Sequence, residues 1–318
     1  MYEDERGTGG VVPMKKKVNY RVVCSHVLLA ALVAAVLLPG QKQTASPVSL
    51  LEGIALMEIY YVYRLVRFPE KRGSASDIVS ILWILLLAWE IMVTKLDLCH
   101  PVLVPALENI FDVYRNDYVE IVKGIISSLE LLFIGVILGL SLGTVLGLIC
   151  GWFQRLKEVF YPIANMLAPI PSIVFAPYVI AVMPTFRSAS VVVILLGIFW
   201  PTFLRTILSV ESMDRNIIDS ARILKLSGAA MIFQVLLPYS WPGIIRGLKV
   251  TMTNAVMMLT FAEMMGSTVG MGYYIVNYNT YGNYTKVVAG IIVVGMVVTF
   301  LSALCTYFAK KAVKWQNY

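Results

Sequence analysis

Residues 121–150 read IVKGIISSLELLFIGVILGLSLGTVLGLIC, and only Lys123 and Glu130 in that run carry charge. A helix needs about 20 mostly apolar residues to cross a bilayer. The span from Ile121 to Cys150 therefore crosses with room for a short lead-in helix, and no soluble domain presents a run of this kind. Gly135, Gly139, Gly143, Gly147 and Gly151 fall at every fourth position. On a helix that spacing leaves one face bare, so a second helix can approach closely. The neighbour can belong to the same subunit or to a second copy.

The whole chain agrees with that run. Of 318 residues, 58% are hydrophobic and 14% are charged, against roughly 45–50% and about 25% in soluble domains. This composition excludes a cytosolic globular protein and predicts one polytopic, all-α membrane body. The net charge is +7, but the basic residues occur as short clusters between apolar runs. That pattern orients membrane proteins, and no basic patch suits nucleic acid. Cys24, Cys99, Cys150 and Cys305 lie far apart and give neither a CxxC motif nor a disulfide framework.

Seven further windows read as spans: about Val22–Leu38, Val48–Val66, Ile78–Thr94, Phe160–Met183, Val191–Leu208, Ile244–Met265 and Val287–Phe308. Eight in all are expected, with a polar amphipathic stretch from Asp97 to Asp117. Pro162, Pro169, Pro171 and Pro177 break the window 160–183. With the N-terminus in the cytoplasm, 20 of the 26 basic residues fall on the cytoplasmic side, and both termini lie there. The second window is the exception to easy insertion, because it carries Glu52 and Glu58. If those acids hold it at the interface, the direction of the first span or the location of the N-terminus changes. Lys15–Lys17 ahead of an apolar stretch also resembles a signal peptide, but the stretch is long for one and no A-x-A site follows. A retained span is the expectation. The organisation expected is an N-terminal tail with two extra helices over 1–75, a first core helix and amphipathic segment over 76–120, a core over 121–310 and a tail over 311–318.

Residues 209–243 form the one long polar segment of the second half. Ser212 and Asp214 are candidate N-caps. Ile217, Ile218, Ala221 and Leu224 recur at helical spacing, opposite Arg215, Asp219 and Arg222. A short amphipathic helix outside the membrane follows, and its apolar stripe needs a cover from the chain's own loops or from a partner subunit.

This segment resembles the cytoplasmic loop of the permease subunits of bacterial binding-protein-dependent ABC importers. That loop runs EAA, three residues, G, nine residues, I-x-L-P; here the frame holds Asp219-Ser220-Ala221, then Lys225, then Val235-Leu236-Leu237-Pro238. Pro242, Gly243 and Gly247 continue as in the group handling nitrate, sulfonates, taurine and bicarbonate. Ala262-Glu263-Met264-Met265-Gly266 and Gly270-Met271-Gly272-Tyr273 are similar to that group's A-E-x-x-G and G-x-G-Y stretches. The resemblance covers about residues 78–315 and implies a six-helix core of the type I importer kind, preceded by a two-helix addition.

It also implies a role for the segment: a coupling helix docking on a separate ATPase dimer, with Asp219, Ser220, Ala221 and Arg222 at the contact. Leu237 and Pro238 would brace the return into the membrane. Two permease copies, alike or different, an extracytoplasmic solute-binding protein and the lipid bilayer are the remaining partners implied, and the bacterial cytoplasmic membrane the location. The chain departs from the pattern at the motif glycine, which is Lys225; Gly228 is the candidate to supply the missing turn freedom. Pro184-Thr185-Phe186 stands where the family has another G-x-G.

No G-x-x-x-x-G-K-[ST], H-E-x-x-H or metal-ligand spacing occurs. The expectation is no catalysis and no cofactor in this chain, with ATP-Mg held by the partner ATPase. Asn254, Met257, Thr260 and Glu263 follow one another at three-residue steps and are the candidate translocation face, with a hydrogen-bonded helix contact as the alternative for Glu263. Tyr273, Tyr274, Tyr278, Tyr281 and Tyr284 form either an interfacial belt or a landing surface for the binding protein. From a different class, an ion- or proton-coupled secondary transporter would need no coupling helix and would use Glu52, Glu58 or Glu263 as relays; a membrane scaffold or channel subunit is the third alternative.

Overall fold

The computed structural model of the chain describes residues 20–312, with the side chain of Arg222 left out. Lys15–Lys17, Lys314 and most of the 311–318 tail lie outside the described residues. Among those described, every regular element is helical. The chain divides into two compact units, with the break between Asp112 and Val113.

In the first unit, α1 (Tyr20–Leu37), α2 (Val48–Arg67) and α3 (Arg72–Glu90) are followed by a wide turn, Ile91–Lys95, and by α4 (Leu107–Asn116), which crosses the break. Both α1 and α2 pack on α3, so the third helix groups with the first two. A buried polar thread joins them: Tyr61 OH donates to Ser76 Oγ at 2.8 Å and lies 2.8 Å from Ser25 Oγ. His26 Nε2 sits 3.1 Å from the Glu58 carboxylate, one of the two acids in α2. Glu52 is exposed. Deeper in this unit, Lys95 Nζ lies 3.3 Å from the fully buried Glu90.

The second unit holds α5 (Tyr118–Trp152), α6 (Gln154–Leu167), α7 (Ala176–Val182), α8 (Phe186–Glu211), α9 (Arg215–Ile223), the single turn α10 (Gly228–Ala230), α11 (Leu237–Gly266), α12 (Met271–Thr280) and α13 (Tyr284–Ala312). Helix α5 is one uninterrupted rod of 35 residues, so the lead-in helix is simply its first turns. Pro169 and Pro171 fall between α6 and the short 3-10 turn at Ser172–Phe175, because a residue preceding proline is pushed out of the α region. The two arms, Gln154–Leu167 and Ser172–Val182, bend by 83°. Thr185 caps α8: its Oγ1 accepts from the Ser188 backbone at 3.1 Å, and the Thr185 backbone donates to Ser188 Oγ. That reciprocal box is what stands where the family has glycines.

The glycine face of α5 lies on α8 within one subunit. A Cβ added at Gly135 would come within 2.7 Å of Ile194, at Gly139 2.8 Å from Ile198, at Gly147 2.7 Å from Thr206 and at Gly151 2.9 Å from Val210, while at Gly143 it would reach the Phe199 carbonyl at 2.9 Å. The partners on α8 also recur in fours, so two i±4 ridges interlock. Leu131, Leu132 and Val136 of α5 then meet Ile194 and Ile198 of α8 and Ala255 and Leu259 of α11 in one buried cluster.

Among the described residues, six helices are long and apolar enough to cross a membrane, or seven with the bent pair counted as one crossing. The difference from eight is α2. Its 20 residues include Glu52, Glu58, Arg64 and Arg67, and charged residues at a helix centre cost a few kcal/mol each on insertion. An even number of crossings, and with it both termini on one side, requires α2 to cross.

Candidate functional site

Helix α9 is built from the turn that leaves α8. Asp214 receives the Asn216 backbone N–H on its carboxylate at 2.9 Å, so the cap is Asp214, and Ser212 instead folds back on the Ser209 carbonyl at 3.0 Å. The inner side of α9 is pinned: Met213 and Ala221 are buried, and Ile218 packs with them against Leu148 of α5, Val210 of α8 and Met231, Ile232 and Leu236 ahead of α11. The outer side is bare. Ile223 is 81% exposed and Leu224 72%, while Asp219 and Ser220 face solvent and Ser220 Oγ donates to the Asn216 carbonyl. The apolar stripe is thus covered by the chain at Ile218 and Ala221 and left exposed at both ends, at Ile217 and at Leu224. The part expected of Arg222 rests on a side chain outside the described ones.

The chain reverses at Lys225, whose φ is +49°. This is the left-handed conformation that commonly ends a helix, normally at glycine. Gly228 does not supply that turn. It opens α10 in free space, with Ser227 Oγ as cap for the Ala230 N–H. The turn at the motif position survives with lysine in it. Leu237 packs into the cluster under α9, and Pro238 sits in the first turn of α11, where its missing N–H is no loss.

At the other end of α11, Glu263 is fully buried. Ser128 Oγ of α5 donates to its Oε1 at 2.5 Å, and the Gly272 backbone N–H donates to its Oε2 at 2.8 Å. Ser128 Oγ accepts in turn from the Met271 N–H at 2.9 Å. The glycines make this possible: Gly270 has φ +146°, and a Cβ there would lie 2.5 Å from Oε1. At Gly272 a Cβ would run into the Thr260 carbonyl. The A-E-x-x-G and G-x-G-Y stretches are therefore two halves of one lock, closing α12 onto α5 and α11.

That geometry divides the expected translocation face. Asn254 and Met257 are exposed, Thr260 is half-buried, and Glu263 is wholly inside. The reason is helical drift. Each three-residue step turns about 300°, falling short of a full turn by about 60°, so three steps carry Glu263 to the side of α11 opposite Asn254. Nearer the outer end, Tyr274 OH donates to Asp117 at 2.9 Å and Tyr278 OH to Glu120 at 2.8 Å. Lys286 reaches Asp117 at 2.6 Å and covers the Tyr278 ring. Burial, followed by the bond to Asp117, pushes the Tyr274 hydroxyl above its ordinary range. Tyr281 is 76% exposed.

Residues 143–314 match the family described as the binding-protein-dependent transport system inner membrane component. The chain belongs to that family. It is a multi-pass permease subunit of a binding-protein-dependent ABC importer. It is 29% identical over 184 residues to the protein named as the aliphatic sulfonates transport permease SsuC of Bacillus subtilis, covering 58% of this chain and 67% of that one. It is likewise 29% identical over 189 residues to the nitrate import permease NrtB of Leptolyngbya laminosa, covering 59% and 68%. Among solved structures it is similar to the MetNI methionine ABC transporter in its inward facing conformations, at 18% identity and a TM-score of 0.49, over 62% of this chain and 94% of that one.

The permease's matched stretch lies entirely within the second unit. One residue of the second unit escapes a reading of the sequence: Ser128 is an ordinary serine in an apolar run until the Met271 N–H, 143 residues away, arrives against it. Arg205, which with Arg246 is a candidate from the sequence to pair with Glu263, instead lays its guanidinium on Gly247 of α11, at the place a Cβ would occupy, and Glu263 is held by Ser128 and Gly272.

Proposed function

We propose that this permease carries a small anionic solute from an extracytoplasmic binding protein into the cytoplasm of a bacterium, driven by a separate ATPase dimer that docks on α9. Asp219, Ser220 and Ala221 form the outer rim and inner pin of that contact, and Arg222 extends it. Lys225 sets the turn that aims the tip, and Leu237 and Pro238 carry the motion into α11. ATP-Mg belongs to the ATPase, and this chain performs no chemistry. A second permease copy, alike or different, completes the channel within the cytoplasmic membrane.

The observation that carries the reading is the split of the α9 stripe. Ile218 and Ala221 are covered by the subunit itself, while Ile217, Leu224 and the neighbouring Ile223 are left exposed. A helix clamped on one side and apolar at its exposed ends suits a groove in another protein better than water. The names of the relatives, a sulfonate and a nitrate permease, support the anionic class.

The test is co-purification. Wild-type permease expressed with its ATPase is expected to retain it, and Leu224→Asp or Asp219→Arg to release it without loss of permease from the membrane. Retention by both variants would remove α9 from the contact. Uptake that continues after ATP depletion while an ion gradient is kept would favour a secondary transporter instead.

A further inference from the structure

Three cations lie in the cytoplasmic halves of α8 and α11 of the second unit without a counter-charge. Arg205 is six residues before the end of α8, about 9 Å in, and Arg246 and Lys249 are nine and twelve residues into α11, about 14 and 18 Å. All three are exposed. No described acid pairs with any of them; the acid nearest along α8, Glu211, is held by Lys157 at 2.7 Å. Ionisable residues inside a membrane protein ordinarily pair with one another or face a water-filled cavity, so three unpaired ones on neighbouring helices call for an anion.

The placement of Arg205 narrows the source of that anion. A lipid-facing arginine snorkels along its own helix toward the headgroups. This one is laid across α11 instead, on the bare backbone of Gly247. Arg246 is the adjacent residue. Thr253, Asn254 and Met257 continue the exposed side of α11 away from the end that bears the cations, with Val250 exposed between Lys249 and Thr253. Glu263, turned to the opposite side and engaged by Ser128 and Gly272, adds no negative charge to that side.

We infer that Arg205, positioned by Gly247, forms with Arg246 the anion-contacting station of the transport path, selecting a small oxyanion by forked N–H donors. This deepens the anionic reading proposed above and rests on it. Arg205 and Arg246 are the specificity-determining pair, and Asn254 belongs to the neutral approach. Gly247 acts through Arg205 as a positioning residue.

The experiment uses the importer assembled with its ATPase and binding protein in liposomes, made with phosphatidylcholine alone or with added phosphatidylglycerol. The probes are labelled methanesulfonate and nitrate. Arg205→Gln is expected to lower uptake at least tenfold while ATP hydrolysis stays within twofold, Arg205→Lys to keep part of the rate, and Lys123→Gln to leave it unchanged. Gly247→Ala keeps every charge but displaces the guanidinium, and is expected to lower uptake as well. Transport of a probe by wild type with no effect of Arg205→Gln or Gly247→Ala overturns the station and leaves the anionic reading standing. Wild-type uptake of neither probe overturns both. If Arg205→Gln changes only stability in phosphatidylglycerol, with uptake intact, the group it binds is a lipid headgroup and the inference fails.

Discussion

Replacing Glu263 with Gln keeps the volume of the side chain and removes only its ability to accept at both ends. In the native lock, Oε1 accepts from Ser128 at 2.5 Å and Oε2 from the Gly272 N–H at 2.8 Å. A glutamine has one acceptor end. Turned to serve Gly272, its amide faces Ser128, whose hydroxyl proton then has no acceptor; turned to serve Ser128, it sets a donor against the Gly272 N–H. One hydrogen bond is lost either way and a buried donor is left unpaired, about 1–3 kcal/mol. For a unit of roughly 200 residues, each kcal/mol moves the midpoint of unfolding by about 2–4 °C, so a fall of about 2–12 °C is expected. The measurement is thermal unfolding of the purified permease followed by tryptophan fluorescence. Because Ser128 and Glu263 share the lock, Ser128→Ala and Glu263→Gln together should cost less than the sum of the two alone. A Gln variant melting within 1 °C of wild type, or strict additivity in the double variant, would refute the lock.

Lys225→Gly should make the end of α9 more stable. An L-residue at φ +49° bears about 1–2 kcal/mol of strain, part of which is offset by the greater freedom of glycine in the unfolded chain, about 0.5–1 kcal/mol. Amide exchange over residues 220–225 should slow by roughly two- to fivefold, and no slowing would count against the turn. Gly147→Ala should destabilise by about 1–3 kcal/mol through overpacking, since the added carbon meets Thr206 at 2.7 Å and the Phe203 carbonyl at 2.9 Å. Gly295→Ala on α13, with nothing within 4 Å, should be neutral or stabilising by up to about 1 kcal/mol; equal melting points for the two variants would contradict the packing described. Glu108 is held above its ordinary pKa by burial first and by Glu90 next. The folded chain therefore keeps that proton more tightly than the unfolded one, and its contribution, complete below about pH 4.5, is lost as pH rises through the folded pKa. Glu108→Gln should flatten melting points measured from pH 4 to 8 and raise them at the upper end.

Much of this architecture could be read ahead of the structure where the signal is local. The apolar runs ending at Cys150, Leu208 and Phe308 lie within a few residues of the ends of α5, α8 and α13, because hydrophobicity alone decides what enters a bilayer. The prolines at 169 and 171 announce the 83° bend. The fourfold glycines indicate a close helix contact, but only the fold chooses Ile194 and Thr206 of the same subunit. Where the reading depended on angle, it slipped: three-residue steps look like one face on paper and turn half-way round a real helix between Asn254 and Glu263. Where it depended on distant partners, it was blind. Ser128 has no local mark, and Arg205, a candidate partner of Glu263 in the sequence, lies on Gly247 instead. Lys225 is the opposite case, a residue that breaks the sequence pattern while its backbone keeps it.

The glycine face of α5 has a mechanical consequence. Five contacts spaced four residues apart mesh two rods over about 24 Å, like a rack and its pinion teeth. Sliding by less than one step of about 6 Å would drive Ile194, Ile198, Thr206 and Val210 into backbone rather than into gaps. Helices α5 and α8 can tilt together but cannot creep past each other. Helix α9, which leaves the end of α8 and packs against Leu148 of α5, is thereby tied to both rods.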